Sequence, residues 1–243
     1  MYFVLLFILH CCVALDLPDF FPKCCMNDPL INDCLLNAAM KVKPFIKDGV
    51  NELEIPSLFR VITPNFIIHH KTENAHFVNT LKNFTFYGMD DYQIEDLKFE
   101  PRKISLQGKF MFKELFQHAY YKIKEGTILE VPITGDGIFG GIIGPLNVTF
   151  TLRGSLEEKN QVEYAKVDEC IIVIDIKQYD IGFQGLTYEN GAWGNTNKLF
   201  RENTKLVGQT LTPAFQEMFQ IFVTDYLKWF LNEIPYNKLF PCS

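Results

Sequence analysis

Several things that a catalytic or nucleic-acid-binding protein needs are missing from this chain. No Gly-x-Ser-x-Gly occurs anywhere, so the sharp turn that presents a nucleophilic serine is absent, and an ester hydrolase has no elbow to work from. There is no Cys-x-x-Cys pair and no His/Cys spacing typical of zinc. Basic residues are outnumbered: 23 Lys and Arg stand against 29 Asp and Glu, for a net charge of −6. No basic stripe exists to neutralise phosphates, which excludes nucleic acid as a partner. Beyond the first residues no segment is apolar enough to span a bilayer, which takes roughly 20 apolar residues.

Apolar and aromatic residues are plentiful. They make up 48% and 14% of 243 residues, and 23 are Phe. That length buries a real core, and the composition invites an interior built around something greasy. The opening "MYFVLLFILHCCVA" is an apolar run of h-region length that ends in small residues. It reads as a signal peptide over 1–14, cleaved after Ala14, which leaves 15–243 as a single secreted domain. Cys11 and Cys12 leave with it; Cys24, Cys25, Cys34, Cys170 and Cys242 remain. An oxidising compartment favours disulfides, and "CCMNDPLINDC" closes a short loop well suited to one. Five is odd, so at least one thiol is free or pairs between chains.

Gly135, Gly137 and Gly140 spell Gly-x-Gly-x-x-Gly after the strand-like "TILEVPI". A dinucleotide fingerprint needs a helix to begin there, so that its N-terminus meets the pyrophosphate. Here "GGIIGPLNVTF" follows, and it leads into another strand. The glycines therefore read as bulges and turns of a curved sheet. Period-two alternation recurs along the middle of the chain. Leu146, Val148, Phe150, Leu152 and Leu156 alternate with Asn147, Thr149, Thr151, Arg153 and Ser155. Ile104, Leu106, Phe110 and Phe112 share one face of a further strand, and "YQIEDLKF", "VEYAKVDECIIVIDI" and "DIGFQGLTY" add more. Strands joined by short turns make an antiparallel sheet. Two sequons lie on such strands, at Asn83 and Asn147, each placed for a glycan to stand in water; around the first, Phe84 and Phe86 point one way and Asn83 and Thr85 the other.

Helices are expected only at the ends. Asp28 as N-cap and Pro29 at the first position start one whose apolar stripe is Ile31, Cys34, Leu35, Ala38 and Val42, with Gly49 to stop it. From about 198 to 233, Leu211, Ala214, Phe215, Met218, Phe219, Phe222, Tyr226, Trp229 and Phe230 recur at helical spacing. Pro213 either kinks this helix, or Thr212 caps a second one. His69, His70, Glu73 and His76 hint at a metal site, but adjacent strand residues face opposite ways, and a solvated loop is the expectation. A long apolar helix clasped by a curved sheet leaves a tunnel as easily as a filled core.

Six segments, in order, resemble the insect takeout and juvenile hormone-binding proteins across almost all of 15–243. They are "LPDFFPKC" with "NDPLINDCLLNA", "GVNELEIPSLFRVITP", "TLKNFTFYGMDDYQI", "ILEVPITGDG" and the closing "NEIPYNKLFP". The resemblance implies an α+β fold in which one long C-terminal helix, unbroken through Pro213, is wrapped by a strongly curved antiparallel sheet around an elongated hydrophobic tunnel, a TULIP-like architecture. It implies a Cys24–Cys34 disulfide, no cofactor and no enzymatic activity; the opposite-facing histidines already leave no metal site expected. It also implies a monomeric carrier of a terpenoid, juvenile hormone-like or fatty-acid-like ligand, without stable membrane insertion. Ala119-Tyr120-Tyr121 departs from the family's Gly-x-Tyr, which changes a wall segment. Cys170 lacks a family partner, which favours the takeout branch, while Cys25 and Cys242 are unexplained.

The expected tunnel lining is Phe66, Ile68, Phe84, Phe86, Phe110, Phe112 and Phe139 from strands and Phe215, Phe219 and Phe222 from the helix, with Tyr120 or Tyr121 as a polar anchor. The competing class is an extracellular interaction protein of the same fold with no lipid cargo and a filled interior.

Overall fold

The structure is a computed structural model that describes residues 16–63, 65–187 and 195–242. The expected signal peptide, 1–14, lies outside the described residues. Helices occur at the two ends: α1 (Ile31–Ile46) at one, and α2 (Asn195–Glu202), α3 (Thr204–Glu233) and α4 (Tyr236–Leu239) at the other. Between them run β1 (Arg60–Ile62), β2 (Phe66–Lys71), β3 (Ala75–Tyr87), β4 (Tyr92–Glu100), β5 (Ser105–Phe112), β6 (Leu115–Ile128), β7 (Val131–Ile143), β8 (Leu146–Lys159), β9 (Val162–Ile176), β10 (Tyr179–Phe183) and β11 (Leu186–Thr187).

Register reveals a simple plan. β3 with β4, β5 with β6, β7 with β8 and β9 with β10 are each one long strand broken once, at residues 88–91, 113–114, 144–145 and 177–178. Because successive long strands run in opposite directions, first and second halves alternate within each sheet, and the strands pair antiparallel in the same succession, β3·β6·β7·β10 and β4·β5·β8·β9. A four-strand meander is thus folded over along one line into two sheets, and the line is the curvature expected of the sheet. Short β1 and β2 add to β3, and β11 adds to β7. At the fold line Gly144 N–H donates to the Gln178 carbonyl (3.0 Å) and Lys177 N–H to the Pro145 carbonyl (2.9 Å). Gly144 sits at φ +144°, where a Cβ would fall 2.5 Å from the Lys113 carbonyl oxygen, so only glycine turns this corner. The Gly-x-Gly-x-x-Gly run lies inside β7 with no helix after it. Its Gly137 is there because a Cβ would strike the Gln184 carbonyl of the neighbouring edge segment.

α3 fills the concavity of the folded meander. Val207, Leu211, Phe215, Met218 and Phe219 join one core cluster with strand residues of both sheets. The helix runs unbroken through Pro213, and Thr212 is not a cap. Its hydroxyl donates back to the Gly208 carbonyl at 2.9 Å, within the turn where Pro213 brings no N–H. A break falls instead at Asn203, between α2 and α3.

Because the meander does not close into a barrel, its outer strands have backbone groups facing away from their sheet, and helix amides meet them. Gln220 accepts from Ile172 N–H on β9 at 2.9 Å and donates to the Cys170 carbonyl. Gln216 accepts from Ile174 N–H, also on β9. Asn197 of α2 bonds both N–H and carbonyl of Phe183 on β10 (2.8 and 2.6 Å). Asn32 of α1 accepts from Phe99 N–H on β4 at 2.7 Å.

Several local expectations are corrected. Asp28 Oδ1 accepts from Leu30 N–H at 2.8 Å, which closes a turn ahead of the helix and moves its start from Pro29 to Ile31. "TILEVPI" is not one strand. Leu129 and Glu130, at φ +51° and +64°, form a two-residue hairpin between β6 and β7. Leu156 is exposed, because a register shift at Arg153/Gly154 exchanges the faces of β8. Thr85 is buried beside Phe84 and Phe86, because a bulge between Lys82 and Thr85, with Asn83 at φ +51°, ends the alternation there. Asn83 itself stays exposed and Asn147 is half-buried on the outer face.

Cys24 is bonded to Cys34, ten residues away, and Cys25 to Cys242, 217 residues away. Cys170 is the buried free thiol among the described residues. The long-range bridge ties the two chain ends together beside Tyr236, whose hydroxyl donates to the Pro101 carbonyl at 2.9 Å.

Two stability measurements follow from these ties. In the chain-entropy model a loop of this length confines the unfolded chain by about 5 kcal/mol. The Cys25→Ser/Cys242→Ser protein should lose about 2–5 kcal/mol in urea denaturation. Gln220→Leu strips two main-chain groups of β9 of their partner and should cost about 1–3 kcal/mol. An unchanged urea midpoint for Gln220→Leu would show that water serves that edge equally well.

Candidate functional site

Strand alternation sends one side chain in two toward α3, and the helix answers with a continuous apolar stripe. Among the cavities left along α3, three have mainly apolar walls. The inner cavity, about 50 Å³, lies under the seven-stranded sheet and is walled by Ile68, Phe77 and Leu81, by Ile123, Ile128, Ile133 and Phe139, by Ile181, Phe183 and Leu186, and by Leu211, Ala214, Phe215 and Met218 of the helix. Asn79 is the one polar residue of that wall. The mouth cavity, about 360 Å³, opens between the 54–63 segment and the helix face bearing Ile221, Phe222, Tyr226 and Trp229. Met218 borders both. The basal cavity, about 400 Å³, is bordered by Leu35, Ala38, Ala39 and Val42 of α1, by Leu97, Phe99, Leu106, Phe110 and Phe150 of the four-stranded sheet, and by Val223, Leu227 and Phe230 of α3. Leu17, Phe21, Leu239 and Phe240 from the chain ends complete it.

The expected lining residues distribute unevenly. Ile68, Phe139 and Phe215 border the inner cavity, Phe222 the mouth and Phe110 the basal one. Phe84, Phe86 and Phe219 border none of the three. They pack on one another, with ring centroids 4.5 Å apart for Phe84–Phe86 and 5.1 Å for Phe86–Phe219. This aromatic plug sits where α3 passes from the inner cavity to the basal one. Phe112 is buried in the same core. Phe66 lies on β2, and its side chain is outside the described set. Tyr121 faces inward, but its hydroxyl donates to the Gln184 carbonyl at 2.8 Å, so it holds the β10–β11 turn rather than a head group. Tyr120, the next residue on the strand, faces the other way and is 55% exposed.

The α1 wall of the basal cavity and the Trp229–Tyr226 side of the mouth were not picked out as lining from the sequence. The signal was present, since Leu35, Ala38 and Val42 form a helical stripe, but nothing in it says what the stripe faces. Burial pushes the Tyr226 phenol up to about 12, so it stays a neutral donor at the mouth.

The histidine-rich stretch is no solvated loop. It forms the β2–β3 hairpin, with His69 and His76 outside and His70 inside. Among the described residues no group of three or more His, Cys, Asp or Glu is placed to hold a metal ion. His70 lies against Phe77, ring centroids 5.0 Å apart. Burial pushes its imidazole below the usual value, against a smaller opposing pull from a hydrogen bond to the Thr210 backbone.

The family model described as Haemolymph juvenile hormone binding protein (JHBP) matches residues 3–241. A crystal structure of Takeout 1 from Epiphyas postvittana superposes with a TM-score of 0.69 at 20% identity, covering 90% of this chain and 98% of that one, a likeness of fold. A crystal structure of a lipopolysaccharide binding protein gives a TM-score of 0.30 at 12% identity, over 79% of this chain and 38% of that one, too remote to carry weight. No curated protein matches the chain.

His70 predicts a pH response. The unfolded imidazole titrates near 6.5 and the folded one lower, so between those values the unfolded chain binds more protons. Stability should therefore be complete above pH 6.5 or so and fall as pH drops through that value toward the folded pKa. Thermal melts at pH 7.5 and 5.5 should show a smaller drop for His70→Gln than for the parent. Equal drops would remove His70 from the account.

Proposed function

We propose that this chain, which belongs to the haemolymph juvenile hormone binding protein family, is a secreted, monomeric carrier that takes a small hydrophobic ligand out of water and holds it along α3. The ligand is of terpenoid, juvenile hormone-like or fatty-acid-like character. The observation that carries this reading is the basal cavity, about 400 Å³ walled by aliphatic and aromatic side chains, together with a mouth cavity of about 360 Å³. Both fall in the size range of small-molecule sites. The chemistry required is transfer alone. Each buried methylene contributes about 0.8 kcal/mol, so a long chain reaches micromolar affinity after the losses of association. Secretion is supported by the two disulfides, which persist in oxidising compartments. Among the described residues no helix is long and apolar enough to cross a membrane.

The second reading, an extracellular interaction protein with no cargo, draws on the Phe84–Phe86–Phe219 plug, which fills the middle of the interior.

The test is native mass spectrometry of the secreted protein, with organic extraction of what it holds. One lipid per chain, released on denaturation, is the expected result. Ala38→Trp, which fills the basal cavity, should weaken binding of a fluorescent fatty-acid probe at least tenfold. An empty protein that also fails to bind the probe would leave the cargo-free reading.

A further inference from the structure

We propose that Asn79, with His70 beside it, forms a polar end to the inner cavity and receives there a hydroxyl group at the buried tip of the ligand, an inference that rests on the carrier reading. Asn79 is 7% exposed in a wall otherwise built of Ile, Leu, Phe, Ala and Met, and its Oδ1 has no protein hydrogen-bond partner among the described residues. An unpaired buried carbonyl works against stability, and a leucine of similar shape would fill the same place without that cost. His70 is 4% exposed, and its Nε2 likewise has no protein partner.

The register brings the two together. Asn79 of β3 is opposite Ile68 of β2, and His70 is opposite Phe77. Ile68 and Phe77 both line the inner cavity, so Asn79 and His70 are diagonal neighbours on the same inward face, about 7–8 Å apart. The hydrogen bond between the His70 ring and the Thr210 backbone leaves Nε2 as the free ring nitrogen. In a neutral imidazole whose Nδ1 carries the proton, Nε2 is an acceptor. Both unpartnered atoms are thus acceptors, whose complement is a donor, and Asn79 Oδ1, on the cavity wall, takes the one proton that a hydroxyl carries. An alcohol supplies one; an ether or a carboxylate does not.

Size narrows the choice further. A water needs about 10–15 Å³ by the same measure, so a cavity of about 50 Å³ takes about three to five non-hydrogen atoms. That suits a chain tip ending in a primary hydroxyl and excludes a bulky head. The remainder of the chain would pass Met218, which borders both cavities, into the mouth.

The experiment is displacement of a fluorescent fatty-acid probe by 1-dodecanol and by its methyl ether, on the full secreted chain. The parent should bind the alcohol at least tenfold more tightly than the ether. Asn79→Leu should reduce that ratio below about twofold by weakening the alcohol, with a melting temperature no lower than the parent's, a selectivity change that a merely structural residue would not give. Asn79→Ala is the second variant, with the same expected loss of the ratio, should Asn79→Leu fail to fold. Equal binding of alcohol and ether by the parent overturns the inference and leaves the carrier reading standing, as does an alcohol preference that survives both variants. Failure of the parent to bind either compound or the probe overturns both.

Discussion

The structure depends on how it finishes a sheet that does not close. A meander of long strands exposes unpaired backbone at its margins, and bare margins invite other chains. Here Asn32, Asn197, Gln216 and Gln220, on three different helices, hydrogen-bond the main chain of β4, β10 and β9. An amide side chain serves well because it offers an acceptor and a donor and so mimics a peptide group. The helices are fixed at the sheet margins by these bonds, and the interior they enclose follows from that fixation.

Folding the meander along the line through residues 88–91, 113–114, 144–145 and 177–178 turns one apolar face into two facing walls. A filled core would need side chains from both walls to meet. The single helix between them is too narrow to achieve this along its whole length, so space remains on either side of the Phe84–Phe86–Phe219 cluster. The seven-stranded half closes tightly over Leu211–Met218, while the four-stranded half, spaced by α1 and the chain ends, keeps a larger cavity. Those ends stay in place through Cys25–Cys242. The proposed site is therefore a consequence of packing geometry rather than of a catalytic motif.

Much of this was legible in the chain. Alternation in Leu146–Leu152 placed β8 correctly, and the spacing from Leu211 to Phe219 identified the buried stripe of α3. What escaped was conformation that local chemistry does not encode. Leu129–Glu130 carries none of the glycine or asparagine that marks a tight hairpin, yet the twist of β6 and β7 imposes one. The bulges at Asn83 and at Arg153/Gly154 invert the faces of the residues after them, and so misplace Thr85 and Leu156. His70 looked solvated because its neighbours are polar, and it is buried because the β2–β3 hairpin lies under Thr210 of α3.

By itself the sequence determined the helices at the two ends, the antiparallel strands that follow one another between them, the apolar period of the longest elements and the resemblance to the family, because those follow from residue pattern along a single strand or helix. Only the tertiary structure decided which stripe faces which, that Cys25 meets Cys242, that Tyr121 is committed to Gln184 while Tyr120 stands outside, and that Asn79 and His70 share one inward corner. These depend on contacts between residues far apart in the chain, and hydrophobicity, being non-directional, specifies that a face is buried without naming its partner.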